Sequence, residues 1–321
     1  MAQPLLEVQQ LKKYFPVEKG FFGKTNSFVH AVDNVSFSIN KGDTFGMVGE
    51  SGCGKSTTGR LLMKLLDPTE GSLWFDGKDI TNLTNAEKRK YSREVQMIFQ
   101  DPYASLNPRM KVKDLVMEPL IVHNELDKES RKKSVSELLE LVGLTASQGE
   151  RYPHEFSGGQ RQRVGIARAL VLNPNFIIAD EPVSALDVSI QSQILNLLQD
   201  IRSEFNLTYL FISHDLSVVE HICNKIGVMY LGKLVEVASK EMLFSRPKHP
   251  YTEALLSSIP TPDPKDTREK IILQGDIPSP ISPPSGCRFH TRCPYSMPIC
   301  KTEEPEFREI SSDQYVACHL Y

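Results

Sequence analysis

Residues 49 to 57 read Gly49-Glu50-Ser51-Gly52-Cys53-Gly54-Lys55-Ser56-Thr57, a G-x-x-x-x-G-K-[ST] run. The glycines let backbone N–H groups wrap an anion, and a helix opening at the lysine adds positive potential from its first turn. The surroundings fit that use. Asp43 to Val48 reads as a short apolar strand running into the glycines, and Lys55 to Leu66 as the helix that follows. In that setting Lys55 reaches two phosphates and Ser56 offers its hydroxyl to Mg²⁺. The bland alternative, a glycine-rich turn, does not account for the strand and helix on either side.

The rest of the first 240 residues repeats the alternation of strand and helix. Asn175 to Asp180 and Thr208 to Ser213 are compact apolar strands, and between them Ile190, Ile194, Leu197, Leu198 and Ile201 share a helical face. Such alternation predicts an α/β fold with parallel strands covered by helices. No internal repeat is visible, so the chain carries one such domain. Phe176-Ile177-Ile178-Ala179-Asp180-Glu181 is an apolar strand ending in two carboxylates. Asp180 would face the Mg²⁺ side of the phosphates, and Glu181 would polarise an attacking water. Alone, that strand end is unremarkable in an α/β domain. Ser157-Gly158-Gly159-Gln160 opens a helix through Val164, Ile166, Ala167 and Leu170, a second anion-binding helix start. Gln100 follows the apolar run Val95 to Phe99, and His214 follows the strand ending at Ser213. Read singly, Gln100 is a surface polar residue and His214 a strand-end cap.

Together these segments resemble an ABC transporter ATPase over residues 5 to 240, with the motifs GESGCGKST, IFQDP, FSGGQRQR, IIADEP, SALD and ISHD in order. The resemblance implies a P-loop ABC nucleotide-binding fold with a helical subdomain at residues 100–172. It also implies two cassettes closing head-to-tail on two ATP molecules. Lys55 and Ser56 of one subunit would then face Ser157, Gly158 and Gly159 of the other, with Gly49, Ser51, Gly52, Cys53, Gly54, Thr57 and Gln160 also binding the nucleotide. By the same resemblance Ser184 to Asp187 lines the seam, and Ser56, Gln100 and Asp180 hold Mg²⁺. Glu181, His214 and Gln100 act on the γ-phosphate and the water, and Tyr14 stacks on adenine, with the neighbouring Phe15 as the competing aromatic. Phe156 stands where the family usually has Leu.

The Pro16–His30 insertion, which reads as an exposed loop, the run His30 to Phe37, the run Gln100 to Pro108 and His249-Pro250-Tyr251-Thr252 look like the oligopeptide/dipeptide importer branch. The Gly20-Phe21-Phe22-Gly23-Lys24 piece suggests the second of that branch's paired ATPase subunits. Its partners would be a non-identical ATPase, two transmembrane permease subunits and, indirectly, an extracellular solute-binding protein. Peptides are the favoured solute, although nickel and glycosides travel through close relatives.

Composition narrows the alternatives. With 37 Lys+Arg against 40 Asp+Glu the net charge is −3, which supplies no electrostatic drive toward nucleic acid or an anionic membrane. No apolar run approaches the ~18 residues that cross a bilayer, and Met1 to Gln10 lacks a secretory pattern. The expectation is a soluble intracellular subunit docking on the cytoplasmic face of a membrane complex. A ribosome-type ABC protein would carry two cassettes and a DNA-repair type a long coiled coil. A redox sensor that happens to bind ATP would rest on the tail alone.

That tail starts after residue 245. The boundaries read as an ATPase domain over 1–245 and an extension over 246–321. Between Arg246 and Pro298 lie 11 of the 21 prolines, which argues against long helices and central strands there. The tail also holds Cys287, Cys293, Cys300 and Cys318, spaced C-x₅-C-x₆-C-x₁₇-C. Thiols gathered where no large core exists suggest a metal that staples loops. Disulfides do not suit a cytosolic chain. Zinc sites usually include a short C-x₂₋₄-C pair, absent here, although His290 and His319 could contribute. A [4Fe–4S] cluster accepts separated cysteines, and some importer ATPases resembling this chain carry one in the matching tail. Unmetallated thiols are the remaining reading.

Overall fold

Every residue of Thr44–Val48, Phe176–Asp180 and Thr208–Ser213 is buried. A strand covered on both faces needs a continuous apolar run, which is the pattern these segments carry. The structure, a computed structural model, describes residues 3–17, 27–259 and 270–321. The chain forms two compact units, one of Met1–Asn82 with Ser213–Tyr321 and the other of Leu83–Ile212.

The strands in chain order begin with β1 (Leu6–Pro16), β2 (Phe28–Ile39), β3 (Thr44–Val48), β4 (Glu70–Phe75) and β5 (Lys78–Asp79). Next come β6 (Val95–Ile98), β7 (Phe176–Asp180) and β8 (Thr208–Ser213). The last four are β9 (Lys225–Tyr230), β10 (Lys233–Ser239), β11 (Phe307–Ser311) and β12 (Gln314–Ala317).

In the first unit β2-β1-β4-β5 make an antiparallel sheet. A second sheet there runs β11-β12-β10-β9-β3, with β3 parallel to β9 and the remaining pairs antiparallel. The second unit holds β8-β7-β6, all parallel, as α/β alternation predicts. Its helices include Val112–Val122, Lys128–Leu141, Gly158–Leu170 and Val188–Phe205. On Val188–Phe205 the buried face is Ile194, Leu195, Leu198 and Ile201, so Leu195 takes the place expected of Leu197.

Three further sequence expectations change. The helix after the glycine loop stops at Leu62, not Leu66. Lys64 turns left-handed at φ +57°, and its N–H bonds Leu61 O while the Leu65 N–H bonds Arg60 O. That pair of bonds closes the helix end as a Schellman motif. The stretch read as an exposed loop from Pro16 to His30 is strand at both ends, because Pro16 pairs with Phe28 and Tyr14 with His30. The GFFGK piece within it lies outside the described residues.

The extension also has more regular structure than its prolines suggest. Pro250 takes the first turn of a helix over Pro250–Ser257, where a missing N–H costs no hydrogen bond. The prolines end at Pro305. Past that point β11 and β12 form a hairpin, and β12 pairs with β10 through Glu236↔Val316 and Val237↔Tyr315. Glu236, fully buried in β10, fastens the extension. Its carboxylate accepts the backbone N–H groups of Lys248 and His249, each at 2.9 Å, and the Gln314 amide at 3.1 Å. Burial pushes this carboxyl above its ordinary range, although those donors pull the other way.

Candidate active site

In the first unit the end of β3 turns through the glycines into the helix Lys55–Leu62. Gly49 sits at φ +151°, and a Cβ there would lie 2.1 Å from the Met229 carbonyl oxygen, so glycine is required. Lys55 is 4% exposed and donates to the carbonyls of Gly49 at 2.7 Å and Glu50 at 3.0 Å. Its ammonium is thus held within the loop's own curve. Ser51 and Gly52 are exposed at the mouth of the turn, Gly54 caps the helix, and Ser56 and Thr57 are half-buried in its first turn. Cys53 lies beneath the loop, where burial pushes its thiol up. His214 is exposed just past β8.

Tyr14 lies on β1 in the same unit. Its hydroxyl donates to Asp33 Oδ1 at 2.6 Å, and its ring packs beside His30 with centroids 4.3 Å apart. Phe15 instead carries the Lys13 ammonium 5.2 Å from its ring centroid. Arg288 donates to the other Asp33 oxygen and to Leu231 O. Burial would raise the Asp33 carboxyl, but the Tyr14 hydroxyl and the Arg288 guanidinium hold it below the usual carboxylate range.

The second unit brings Gln100 and Glu181 together, with the Gln100 amide donating to Glu181 Oε2 at 2.8 Å. Glu181 adopts φ +47°, a left-handed conformation that costs a non-glycine residue roughly 1–2 kcal/mol. Its N–H bonds Ile212 O at 2.9 Å, and its carbonyl accepts from the N–H and hydroxyl of Ser184. That local network fixes the carboxylate at the end of β7, next to Asp180, which is 3% exposed. In the same unit Ser157 caps the helix Gly158–Leu170. Its hydroxyl accepts the Gln160 N–H, and the Gln160 side chain accepts the Ser157 N–H. A Cβ on Gly159 would stand 2.5 Å from Ile190 Cγ2, so the glycine permits close packing on the helix that Asp187 caps.

The four tail cysteines form no disulfide. They lie near enough for Cys287, Cys293 and Cys318 to feel other thiols of the set, yet burial is the main influence pushing these three up, Cys287 to about 11. Four thiols are a suitable donor set for an iron–sulfur or zinc site. Their placement does not present one. Among the described residues no group of three or more His, Cys, Asp or Glu side chains stands in a metal-holding arrangement. Of the histidines considered as substitutes, His290 Nδ1 lies 2.8 Å from Cys287 O and His319 Nε2 lies 2.9 Å from Glu303 O.

Along the chain, Glu50, Asp33, Arg288, Arg292 and Tyr251 carry no sign of the contacts they make in the fold. Glu50 is a variable letter in the glycine motif, and its partners lie more than 200 residues away. The HPYT run marks Tyr251 without indicating its role.

A glycine loop opening a helix, a carboxylate strand end and a Ser-Gly-Gly helix start make this an ABC-type nucleotide-binding cassette. Residues 32–184 match the ABC transporter family, and residues 235–300 match the oligopeptide/dipeptide transporter C-terminal region. The chain is 57% identical to the oligopeptide transport ATP-binding protein AppF of Bacillus subtilis, covering 99% of this chain and 98% of the relative. It is 50% identical to a probable peptide ABC transporter ATP-binding protein, y4tS, of Sinorhizobium fredii, covering 100% and 91%. Among solved structures, a dimeric post-hydrolysis state of the cassette MJ0796 bound to ADP and Pi aligns with a TM-score of 0.66 and 29% identity. That alignment covers 73% of this chain and 98% of the other. The chain belongs to the ABC transporter ATP-binding family, in the oligopeptide/dipeptide branch. It is an ATPase of that class.

Proposed function

We propose that this chain hydrolyses ATP to power the import of di- or oligopeptides, as one of two paired ATPase subunits docked on two transmembrane permease subunits. The observation that carries the reading is the joint presence of the cassette and the transporter-specific C-terminal region, in a chain 57% identical over nearly its whole length to an oligopeptide transport ATP-binding protein. We read residues 1–245 as the cassette and 246–321 as the extension. No helix among the described residues is long and apolar enough to cross a membrane, so membrane attachment would run through the permease subunits at the cytoplasmic face.

The cofactors are ATP and Mg²⁺. Lys55 and the loop N–H groups take up the triphosphate, and Tyr14 stacks on the adenine. Ser56, Gln100 and Asp180 would hold Mg²⁺, which neutralises phosphate charge when bound. Glu181, braced by Gln100, takes the proton of the attacking water, and His214 orients the γ-phosphate. Ser157, Gly158, Gly159, Gln160 and Asp187 act on the nucleotide of the partner ATPase. Because ATP touches both subunits only when they are closed, nucleotide state sets the closed population. Asp101 to Arg109 is the proposed permease contact. Support comes from Phe99 and Tyr103, 43% and 65% exposed, and from the Arg161 guanidinium stacked 3.4 Å over the Tyr103 ring.

The test is reconstitution of the purified complex in proteoliposomes with its solute-binding protein. ATP hydrolysis should rise when that protein carries peptide, and labelled peptide should accumulate. Stimulation by nickel or a glycoside instead would reassign the solute, and purification without any membrane subunit would overturn the transport reading.

An iron–sulfur cluster on Cys287, Cys293, Cys300 and Cys318 is a finer part of this proposal, supported by the four-thiol donor set alone, since the described side chains form no metal-holding group. Anaerobically purified full-length protein should then be brown and Cys293→Ser colourless. Colourless wild-type protein rejects the cluster.

A further inference from the structure

Glu50 is the second residue of the glycine loop, and the extension holds it at three atoms. Its backbone N–H donates to the Tyr251 hydroxyl at 2.9 Å. Its two carboxylate oxygens accept from Arg292 Nη1 and Nη2, at 2.8 and 3.1 Å. Such a fork restricts both rotation and translation of the carboxylate, which a single charge contact does not. Both partners are themselves fixed. Tyr251 is fully buried, with its ring centroid 4.7 Å from that of Tyr230 and 5.4 Å from that of Phe289. The Arg292 side chain is only 8% exposed.

The same Glu50 residue meets the catalytic machinery on its other side. Its carbonyl accepts from Lys55 Nζ at 3.0 Å. One peptide therefore carries the extension's grip at its N–H and side chain, and the lysine's at its carbonyl. Gly49, just before it, has no room to shift toward β9, since the Met229 carbonyl stands against it. The loop's curvature at Glu50 is set from outside the loop, by residues more than 200 positions later.

A second arm runs in parallel. Arg288, four residues before Arg292, grips Asp33, and Asp33 accepts the hydroxyl of Tyr14. Both arginines come from one short segment, and each ends on a carboxylate beside a residue assigned to nucleotide binding.

We propose that Arg292 and Tyr251 are positioning residues for nucleotide binding, through which the C-terminal extension holds the phosphate loop at Glu50 in its binding shape. The proposal rests on the assignment of residues 49–57 as the phosphate cradle. The extension is in this sense part of the ATP site without touching ATP. Any change in the segment around Arg288 to Cys293 is transmitted to the phosphate loop.

The test uses the full-length chain, with ATP affinity read by calorimetry and by a fluorescent ATP analogue. Arg292→Met and Glu50→Gln should each weaken ATP binding about tenfold, a size typical of coupling between sites. The double variant should be no weaker than either single one, because both remove the same link. Tyr251→Phe should weaken binding several-fold, and Arg292→Lys should restore only part of the loss, since an ammonium cannot make the fork. Affinity within twofold of wild type in Arg292→Met and Glu50→Gln, with only the melting temperature lowered, would overturn the proposal. Additive losses in the double variant would do the same. If Arg292→Met does not fold, the partly exposed Glu50→Gln carries the measurement alone. Lys55→Ala serves as the control. Normal ATP affinity in that variant would reject the phosphate cradle itself, a failure separate from that of the extension's role.

Discussion

Glu181→Gln is expected to leave ATP binding near wild type and to lower turnover of the assembled complex by about 10²–10⁴-fold, the usual contribution of a positioned general base. The amide keeps the shape of the side chain and can still accept from Gln100, whose amide donates to Glu181 Oε2 at 2.8 Å. What it loses is the capacity to take a proton. ATP that binds but is not cleaved leaves the two subunits closed, so the variant should also accumulate as a stable closed pair with ATP, visible by size exclusion. A rate above half of wild type would remove Glu181 from this role.

Lys55→Ala should act at the earlier step. In the structure Lys55 donates to the carbonyls of Gly49 and Glu50, and it is nearly inaccessible to water. On nucleotide binding the same donors would turn to phosphate oxygens. A hydrogen bond to a charged group contributes about 1.5–3 kcal/mol, and on the proposed reading Lys55 would meet two phosphates, so a loss of ~100-fold or more in ATP affinity is expected. Titration calorimetry with ATP checks this. The contrast with Glu181→Gln is informative, because one variant fails to bind and the other binds but fails to hydrolyse.

Much of this arrangement is legible in the sequence because it is local. The glycine loop, the carboxylate strand end and the Ser-Gly-Gly helix start each occupy fewer than ten consecutive residues and carry their geometry with them. The strands β3, β7 and β8 announce themselves as apolar runs because burial on both faces leaves no room for alternation. The failures are of another kind. The helix end at Lys64 depends on a left-handed residue that is not glycine, and no residue type advertises that. Leu195 and Leu197 are equally apolar, and the surrounding packing decides which is buried. The pairing of β12 with β10 joins segments some 80 residues apart, and only the folded chain displays it. The ties from Arg292 and Tyr251 to Glu50, and from Arg288 to Asp33, are likewise long-range, between residues that look like ordinary polar and aromatic positions when read along the chain.

The seating of β12 beside β10 bears on how this cassette could be shortened. A chain ended at the composition boundary near residue 245 would keep β10 but lose the strand alongside it. One row of its backbone N–H and C=O groups would be unmasked, and Glu236 would lose the donors that offset its burial. An unprotected strand margin of that sort invites pairing with other copies and hence aggregation. A chain shortened to the cassette is therefore expected to stay soluble only if it retains the hairpin of β11 and β12, which shields this margin of β10.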